Sequence, residues 1–188
     1  MSDIISPAMM VVDPNTLRMP HPIGDGKGQL IQAIRSLPVK GKIFSVEVDV
    51  PGVLAAVTYT ANDQVGEIFP IPLPTSFEGW LDTVVLFETT LNSLALDLFI
   101  FDEAVVNATA DNAAVSITDA LMRSACIGFV RIVDYAATAV NSIGESKESA
   151  LAVVCRNNES ALYGLLATRG APTYAAGGIN LKFKFIEA

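Results

Sequence analysis

The residues of this chain that could carry out acid–base or metal chemistry are few and far apart. His21 is the only histidine, and it lies between two prolines. Zinc sites need several histidine or cysteine ligands, and a serine or cysteine nucleophile usually needs a histidine base. Neither Cys126 nor Cys155 is spaced to act with His21. We therefore interpret His21 as a solvated residue, with no catalytic or zinc-binding role.

Acidic residues are more numerous, and five of them lie in or beside two predicted strands. They are Asp82, Glu88, Asp97, Asp102 and Glu103. Glycoside hydrolysis needs two carboxyl groups that face each other across a cleft, and the sequence does not place these residues so. We predict exposed acids on strand faces and ends, as for Glu47 and Asp49. Several of the five in one deep pocket would instead indicate an enzyme.

Two further patterns are weak matches to known sites. The run Gly24–Gly28 contains Lys27, but Gly28 follows where a phosphate-binding loop needs serine or threonine, and no strand precedes it. The run also lacks the oxygen ligands of a calcium loop. Cys126 and Cys155 lie in apolar, strand-like runs, which favours two reduced, buried thiols over a disulfide bridge. We predict no enzymatic activity, no cofactor and no metal.

Composition bounds the possible partners. The chain has 188 residues, of which 51% are apolar, and a net charge of −8. No stretch of 18 apolar residues is present, so the apolar excess predicts surface buried in an oligomer or assembly, not a membrane span. Lysine and arginine do not cluster, which argues against direct nucleic-acid binding. The N-terminus lacks the pattern of a signal peptide, and no basic amphipathic helix indicates membrane association.

The sequence divides into an arm and a body. Residues 1–41 contain five prolines, which interrupt regular structure, and we predict an extended arm with one short helix at Lys27–Ser36. The arm could pack on its own domain or on a neighbour. From residue 42 to residue 188 the apolar period is two, with eight or nine short strands between turns. This spacing predicts an all-β sandwich or barrel.

Several elements of the body carry specific expectations. We predict a strand at Val53–Thr60 and a hairpin that pairs Trp80–Leu91 with Ser93–Phe101. The second hairpin strand has two apolar faces, so it is central or meets a partner. Trp80 is interpreted as a core anchor, with an interface anchor as the second reading.

Other expectations concern loops, prolines and the helix. The small, polar run Ala136–Ser149 predicts a loop, and Gly164 a bulge. Thr118 should cap a short helix. The alternating prolines at 70, 72 and 74 predict an edge strand or a polyproline-like connector.

Three segments of the body together resemble a known protein family. They are Leu94–Asp102 (LALDLFIFD), Ala110–Ala120 (ADNAAVSITDA) and Leu162–Tyr174 (LYGLLATRGAPTY). The resemblance is to capsid decoration or cement proteins, the small head-stabilising proteins of tailed bacteriophages, and it extends from residue 42 to the C-terminus. It implies a jelly-roll-like antiparallel β-sandwich with one or two short helices. No catalytic residue is carried over, because the shared pattern contains none.

The resemblance also implies a function and partners. The chain would be a structural virion protein made in the cytoplasm of a host bacterium. It would form a homo-oligomer, a dimer or trimer, and bind the major capsid protein on the capsid exterior. The alternative is a carbohydrate- or receptor-binding β-sandwich of a phage tail or fibre. A shallow, aromatic-lined groove with convergent polar groups would favour that alternative, and a flat apolar self-contact would favour the cement protein.

Overall fold

A computed structural model describes residues 41–105, 109–146, 151–155 and 160–188. Residues 1–40 of the predicted arm (residues 1–41) lie outside the described residues, and with them the predicted short helix, His21 and Gly24–Gly28. The described elements, in chain order, are β1 Ile43–Asp49, β2 Gln64–Pro72, β3 Glu78–Glu88, β4 Leu96–Phe101, α1 Asp119–Ser124, β5 Cys126–Ala137, β6 Ser142–Ser146, β7 Leu151–Val154, β8 Ala161–Thr168 and β9 Ile179–Glu187. Of these described elements, none is a helix long and apolar enough to cross a membrane.

The strands form an antiparallel sheet in the order β1-β9-β3-β6-β5-β4-β8-β2, with β7 paired to β3. This is the strand order of a jelly roll. One half is β1-β9-β3-β6, the other is β5-β4-β8-β2, and the β5–β6 pair joins them. The prediction of an all-β, jelly-roll-like sandwich is therefore confirmed. The short helix α1 begins after Thr118, whose hydroxyl accepts a hydrogen bond from the backbone N–H of Leu121, also as predicted.

The core lies between the two halves and is built from alternate residues of their strands. On β9, Ile179, Leu181, Phe183 and Phe185 are buried, while the lysines between them point outward. Strand β4 is buried on both faces, since Leu98 packs in the main core and Phe101 in a second cluster. Residues from the β4–β5 crossing and α1, including Val105 and Leu121, complete that second cluster. The chain itself, and not a neighbour, therefore covers the outer side of Phe101.

Three predicted elements were wrong. Val53–Thr60 forms turns and one isolated bridge, because positive φ at Ala56 interrupts an extended conformation. β3 and β4 do not form a hairpin, since β6 and β5 lie between them in the sheet. The predicted loop at Ala136–Ser149 holds the end of β5 and all of β6. Small and polar residues are compatible with a strand there because β6 is held by partners on both sides.

Trp80 is not a core anchor. The register of β3 against β9 shifts between Leu81 and Thr83, where one extra residue forms a bulge. As a result, the buried residues of β3 are the odd-numbered ones up to Leu81 and the even-numbered ones from Val84 onward. Trp80 is 37% exposed and points to the same outer side as Phe87, although strict alternation would put them on opposite faces.

Gly164 is not the bulged residue, because it pairs regularly with Ile100 of β4, and the register shift beside its pair with Phe69 comes from extra residues of β2, between Val65 and Phe69. Its Cα instead faces the ring of Phe69, and a Cβ at Gly164 would come within 2.5 Å of that ring and 3.3 Å of Leu98. Phe69 is 1% exposed and held in the core. Glycine is therefore required here by close packing against the aromatic ring.

We expect Gly164→Ala to lower the free energy of unfolding by about 1–3 kcal/mol, since a buried ring must move to admit the methyl group. Urea denaturation of the full chain measures this. Gly170→Ala is the matched control, because its Cβ would meet the flexible end of Leu94 at 3.0 Å. Adding Phe69→Leu to Gly164→Ala should recover part of the loss. Equal effects at both glycines would contradict this account.

The proline run is extended, as predicted. Pro70 and Pro72 lie in β2, which is the last strand of its half and pairs only with β8. An edge strand tolerates proline because the missing N–H would point away from the neighbouring strand.

Candidate interaction surfaces

The five acids considered in the sequence lie in different environments. Asp82 and Glu103 are exposed, as predicted. The same prediction was wrong for the other three, which are buried: Glu88 (2% exposed), Asp97 (0%) and Asp102 (3%). Of two concavities among the described residues, one is lined by none of the five acids and the other by Glu88 alone.

Asp97 is the centre of an ion network on the outer side of β4. Arg131 on β5 donates through Nε to Asp97 Oδ1 at 2.9 Å, and Arg169, just after β8, donates through Nε to Oδ2 at 2.5 Å. Arg169 also donates to Asn62 Oδ1 at 3.1 Å. Burial alone would raise the pKa of Asp97, but the hydrogen bonds and charges of the two arginines outweigh it and lower the pKa. The network is structural, because both carboxylate oxygens are occupied.

Glu88 lies at the end of β3 and binds the loop that follows. Its Oε1 accepts hydrogen bonds from the backbone N–H of Ser93 at 2.7 Å and from the hydroxyl of Ser142. Burial raises the pKa of Tyr174 and of Tyr135, and the charge of Glu88 adds to both shifts. Tyr135 and Tyr174 therefore stay protonated, and the Glu88 carboxylate is engaged in contacts with the loop. Both facts indicate that Glu88 has a structural role.

Cys126 and Cys155 are not joined by a disulfide bridge, in agreement with the prediction of reduced thiols. Cys155 is buried and Cys126 half-buried, and burial raises the pKa of the Cys126 thiol. Among the described residues, no three histidine, cysteine or acidic side chains cluster in a way that could hold a metal ion.

Asp111, which is not one of the five acids considered in the sequence, joins three segments. One oxygen, Oδ1, accepts from the hydroxyl of Tyr59 at 2.7 Å and from the backbone N–H of Gly66. The other, Oδ2, accepts from Tyr59 at 2.8 Å and from the backbone N–H of Leu54 at 3.1 Å. Burial of Tyr59 raises the pKa of its phenol, and the hydrogen bond to Asp111 raises it further. The carboxylate therefore fixes the irregular segment before β2.

A concavity of about 630 Å³ lies beside Asp111. The described residues that line it are Gly52, Leu54, Gln64, Glu67, Ile68, Val105, Thr109, Ala110 and Asp111. None of these lining residues is aromatic. The aromatic-lined groove that would favour a carbohydrate-binding protein is therefore not found at this concavity.

Two outer faces carry exposed apolar side chains. On the first half, the outward apolar residues of β3 are Trp80, Val85 and Phe87, which we call the β3 stripe, and the exposed Asp82 lies between Trp80 and Val85. Trp80 is 37% and Phe87 39% exposed. Ile186 on β9 lies beside Trp80, and Ile143 on β6 beside Phe87. The stripe is therefore apolar at its two ends and interrupted by Asp82 and Thr83.

On the second half, Phe99, Phe129 and Arg131 form what we call the aromatic patch. Phe99 on β4 pairs directly with Phe129 on β5, with ring centroids 6.1 Å apart. Arg131 lies 5.9 Å from the centre of the Phe129 ring, and its other contact is the buried Asp97. Phe129 is 55% exposed. An exposed ring beside an arginine that is already held in place is typical of protein-binding surfaces.

Comparison of the chain with models of known protein families and with curated protein sequences finds no match.

Proposed function

We propose that this chain is a structural virion protein that binds the outer surface of a phage head and stabilises contacts between major capsid subunits. The observation that carries the proposal is the aromatic patch, an exposed ring and a fixed arginine on a jelly-roll body. The resemblance of Leu94–Asp102, Ala110–Ala120 and Leu162–Tyr174 to capsid decoration proteins supports it. Viral capsid domains are among the proteins built on the jelly roll.

The mechanism is burial of apolar surface. Phe129 and its neighbours would cover a seam between capsid subunits, at about 25 cal/mol per Å² of apolar area removed from water. Arg131 would add hydrogen bonds at the rim with little loss of side-chain entropy, since Asp97 already fixes it. No bond is made or broken, so this function needs no catalytic residue.

The test is to mix the purified chain with phage heads that lack it. We expect the chain to co-sediment with the heads and to raise their melting temperature in calorimetry. Phe129→Ser should weaken binding at least about tenfold, because truncation of an interface aromatic commonly costs 1.4 kcal/mol or more, on the order of a factor of ten. The ring is half-exposed, so folding should change little.

Val140→Ser is the matched control, since Val140 is 72% exposed and lies in the turn between β5 and β6. It should bind heads like the wild-type chain. Absence of binding and of any rise in melting temperature would refute the proposal. Binding to host-cell glycans in place of heads would favour a receptor-binding protein of the tail or fibre.

A further inference from the structure

The strand at one end of the sheet order, β1, has a free edge. Within the described part of the chain, β1 pairs with β9 alone. The Val50 N–H donates to the Ile179 carbonyl, and the Glu187 N–H to the Lys42 carbonyl, both at 3.0 Å. Successive residues of an antiparallel strand bond to alternate sides, so the even-numbered residues from 42 to 50 bond to β9. The N–H and C=O groups of the odd-numbered residues therefore point to the free edge. These residues are Ile43, Ser45, Glu47 and Asp49.

The strand at the other end of the order, β2, has an edge that is blocked by proline. Its bonds to β8 are made by odd-numbered residues, since the Leu73 N–H donates to the Ser160 carbonyl at 2.7 Å. Pro70 and Pro72 therefore lie at the positions that face the free edge of β2, and proline has no N–H to offer there. Prolines on an edge strand prevent pairing with another chain. β1 contains no proline, so its edge can accept a further strand.

The inner face of β1 is incompletely covered. Phe44, Val46 and Val48 point inward and pack on the core, but each is only partly buried. The edges of β1 and β2 approach each other at one end, where the Glu67 N–H donates to the Pro51 carbonyl at 2.8 Å. Among the described residues, no other backbone hydrogen bond links these two edges. A strand added beside β1 would cover the three apolar side chains and bond the free backbone groups.

We infer that this edge is occupied by β1 of a second copy of the chain, paired antiparallel about a twofold axis that passes beside Val46, perpendicular to the sheet. Such an axis places Ser45 opposite Glu47 of the second copy, and Ile43 opposite Asp49. The odd-numbered residues then form the hydrogen-bonded pairs, and each pair exchanges two backbone bonds. All seven residues of β1 are paired. A twofold contact of this kind uses the same surface on both copies and closes on itself.

Charge favours this register over the two nearest registers that keep the same faces. One of these places Glu47 directly opposite Glu47 of the second copy, and like charges in that position destabilise a strand pair. The other places Lys42 opposite Val48 on the inner face, where the ammonium group would lose water. In the inferred register the two Glu47 side chains are only diagonal neighbours, roughly 7–8 Å apart. Each Glu47 is also bonded to Lys182 of its own chain at 2.7 Å, which offsets its charge.

The inference goes beyond the proposed function and does not depend on it, because the contact is between copies of the chain and needs no phage head. It is tested in solution without heads, so that the two proposals can fail independently. Sedimentation equilibrium of the full chain at increasing concentration should show monomer and dimer. Amide hydrogen exchange followed by NMR should show that the odd-numbered N–H groups of β1 become protected as the dimer forms. The even-numbered groups should be protected by β9 at every concentration.

Proline substitution tests the edge directly. Ser45→Pro should weaken the dimer at least about tenfold, because it removes a free-edge donor from both copies and leaves the bonds to β9 in place. Ser45→Ala keeps the N–H and is the matched control, with an unchanged dimer. Ala152→Pro controls for proline on another edge, since the Ala152 N–H of β7 also points away from its partner strand. It should leave the dimer unchanged, and urea denaturation of each variant checks that the monomer is folded.

Charged substitutions at the same residue test the register. Ser45→Lys places a lysine opposite Glu47 of the second copy, twice in the dimer, and should strengthen the dimer about threefold or more. Ser45→Glu should weaken it, because like charges then lie opposite each other. A chain that stays monomeric at all concentrations would overturn the inference, as would a trimer. So would a dimer that is insensitive to Ser45→Pro, a dimer in which the odd-numbered N–H groups stay unprotected, or one that Ser45→Lys weakens.

Discussion

Asp111→Ala is expected to lower the free energy of unfolding by about 4 kcal/mol, the largest effect of any single change considered. The substitution leaves the Tyr59 hydroxyl without its acceptor, and Tyr59 is 0% exposed. An unsatisfied buried group costs about 1–3 kcal/mol, and hydrogen bonds to a charged acceptor contribute about 1.5–3 kcal/mol each. The backbone N–H groups of Leu54 and Gly66 lose the same acceptor.

Urea denaturation of the full chain measures this loss. Asp49→Ala is the matched control, since Asp49 is an exposed acid whose carboxylate accepts one hydrogen bond, from Asn180 at 2.9 Å. It should change stability by less than about 0.5 kcal/mol. Tyr59→Phe should cost less than Asp111→Ala, because it removes the donor and leaves the carboxylate with two backbone partners. A loss at Asp111 no larger than that at Asp49 would show that the carboxylate does not hold the segment.

Asp97→Asn should cost about 2–3 kcal/mol at neutral pH. Breaking a buried ion pair typically costs 3–5 kcal/mol, roughly, when the remaining charge is left buried. Here the arginine side chains are half-exposed, 51% for Arg131 and 42% for Arg169, so water can solvate them and the cost is smaller. Glu103→Gln, which removes one exposed negative charge, is the control and should have an effect below about 0.5 kcal/mol.

The effect of Asp97 depends on pH in a defined direction. The arginines lower the pKa of Asp97 in the folded protein, so the unfolded chain binds this proton first as the pH falls. The contribution of Asp97 is complete above the ordinary aspartate pKa of about 3.9 and is lost as the pH falls toward the lower folded value. The stability difference between wild type and Asp97→Asn should therefore be constant near neutrality and narrow below about pH 4.

Denaturation of both proteins at a series of pH values measures that difference. A gap that stays constant down to the acid-unfolded range would mean that the pKa of Asp97 is the same in the folded and the unfolded chain. A gap that widens in acid would contradict the sign of the shift. Glu103→Gln, measured in parallel, separates the ion network from a general effect of net charge.

The class of the fold could be predicted from local patterns. In β9, apolar residues alternate with polar ones, and this alternation predicts a strand with one buried face whatever its partners are. The inward residues are Ile179, Leu181, Phe183 and Phe185, and Lys182 and Lys184 point outward. The cap at Thr118 and the prolines of β2 are also local effects, since each depends on one residue and its immediate backbone. These features predicted an all-β body with one short helix.

Strand pairing and burial of the acids could not be predicted in the same way. Asp97 lies on the same face of β4 as Phe99, and the sequence around it is that of a solvated acid on a strand. Only the pairing of β4 with β5 and β8 places Arg131 and Arg169 beside it. No residue near Asp111 in the sequence indicates its partners, and only the fold brings Leu54, Tyr59 and Gly66 to its carboxylate. In both cases the partners are distant along the chain.

The candidate surfaces also combine features that the sequence predicts with features that depend on strand pairing. The sequence by itself determined that the body is made of half-buried strands, because a period of two fixes which residues share a face. Tertiary structure alone decided that Trp80 and Phe87 share an outer face, since the β3 bulge reverses the alternation between them. It also placed Lys182 and Glu145 on opposite sides of Val85. A bulge and a strand order depend on pairing between remote segments, and side-chain period carries no information about that pairing.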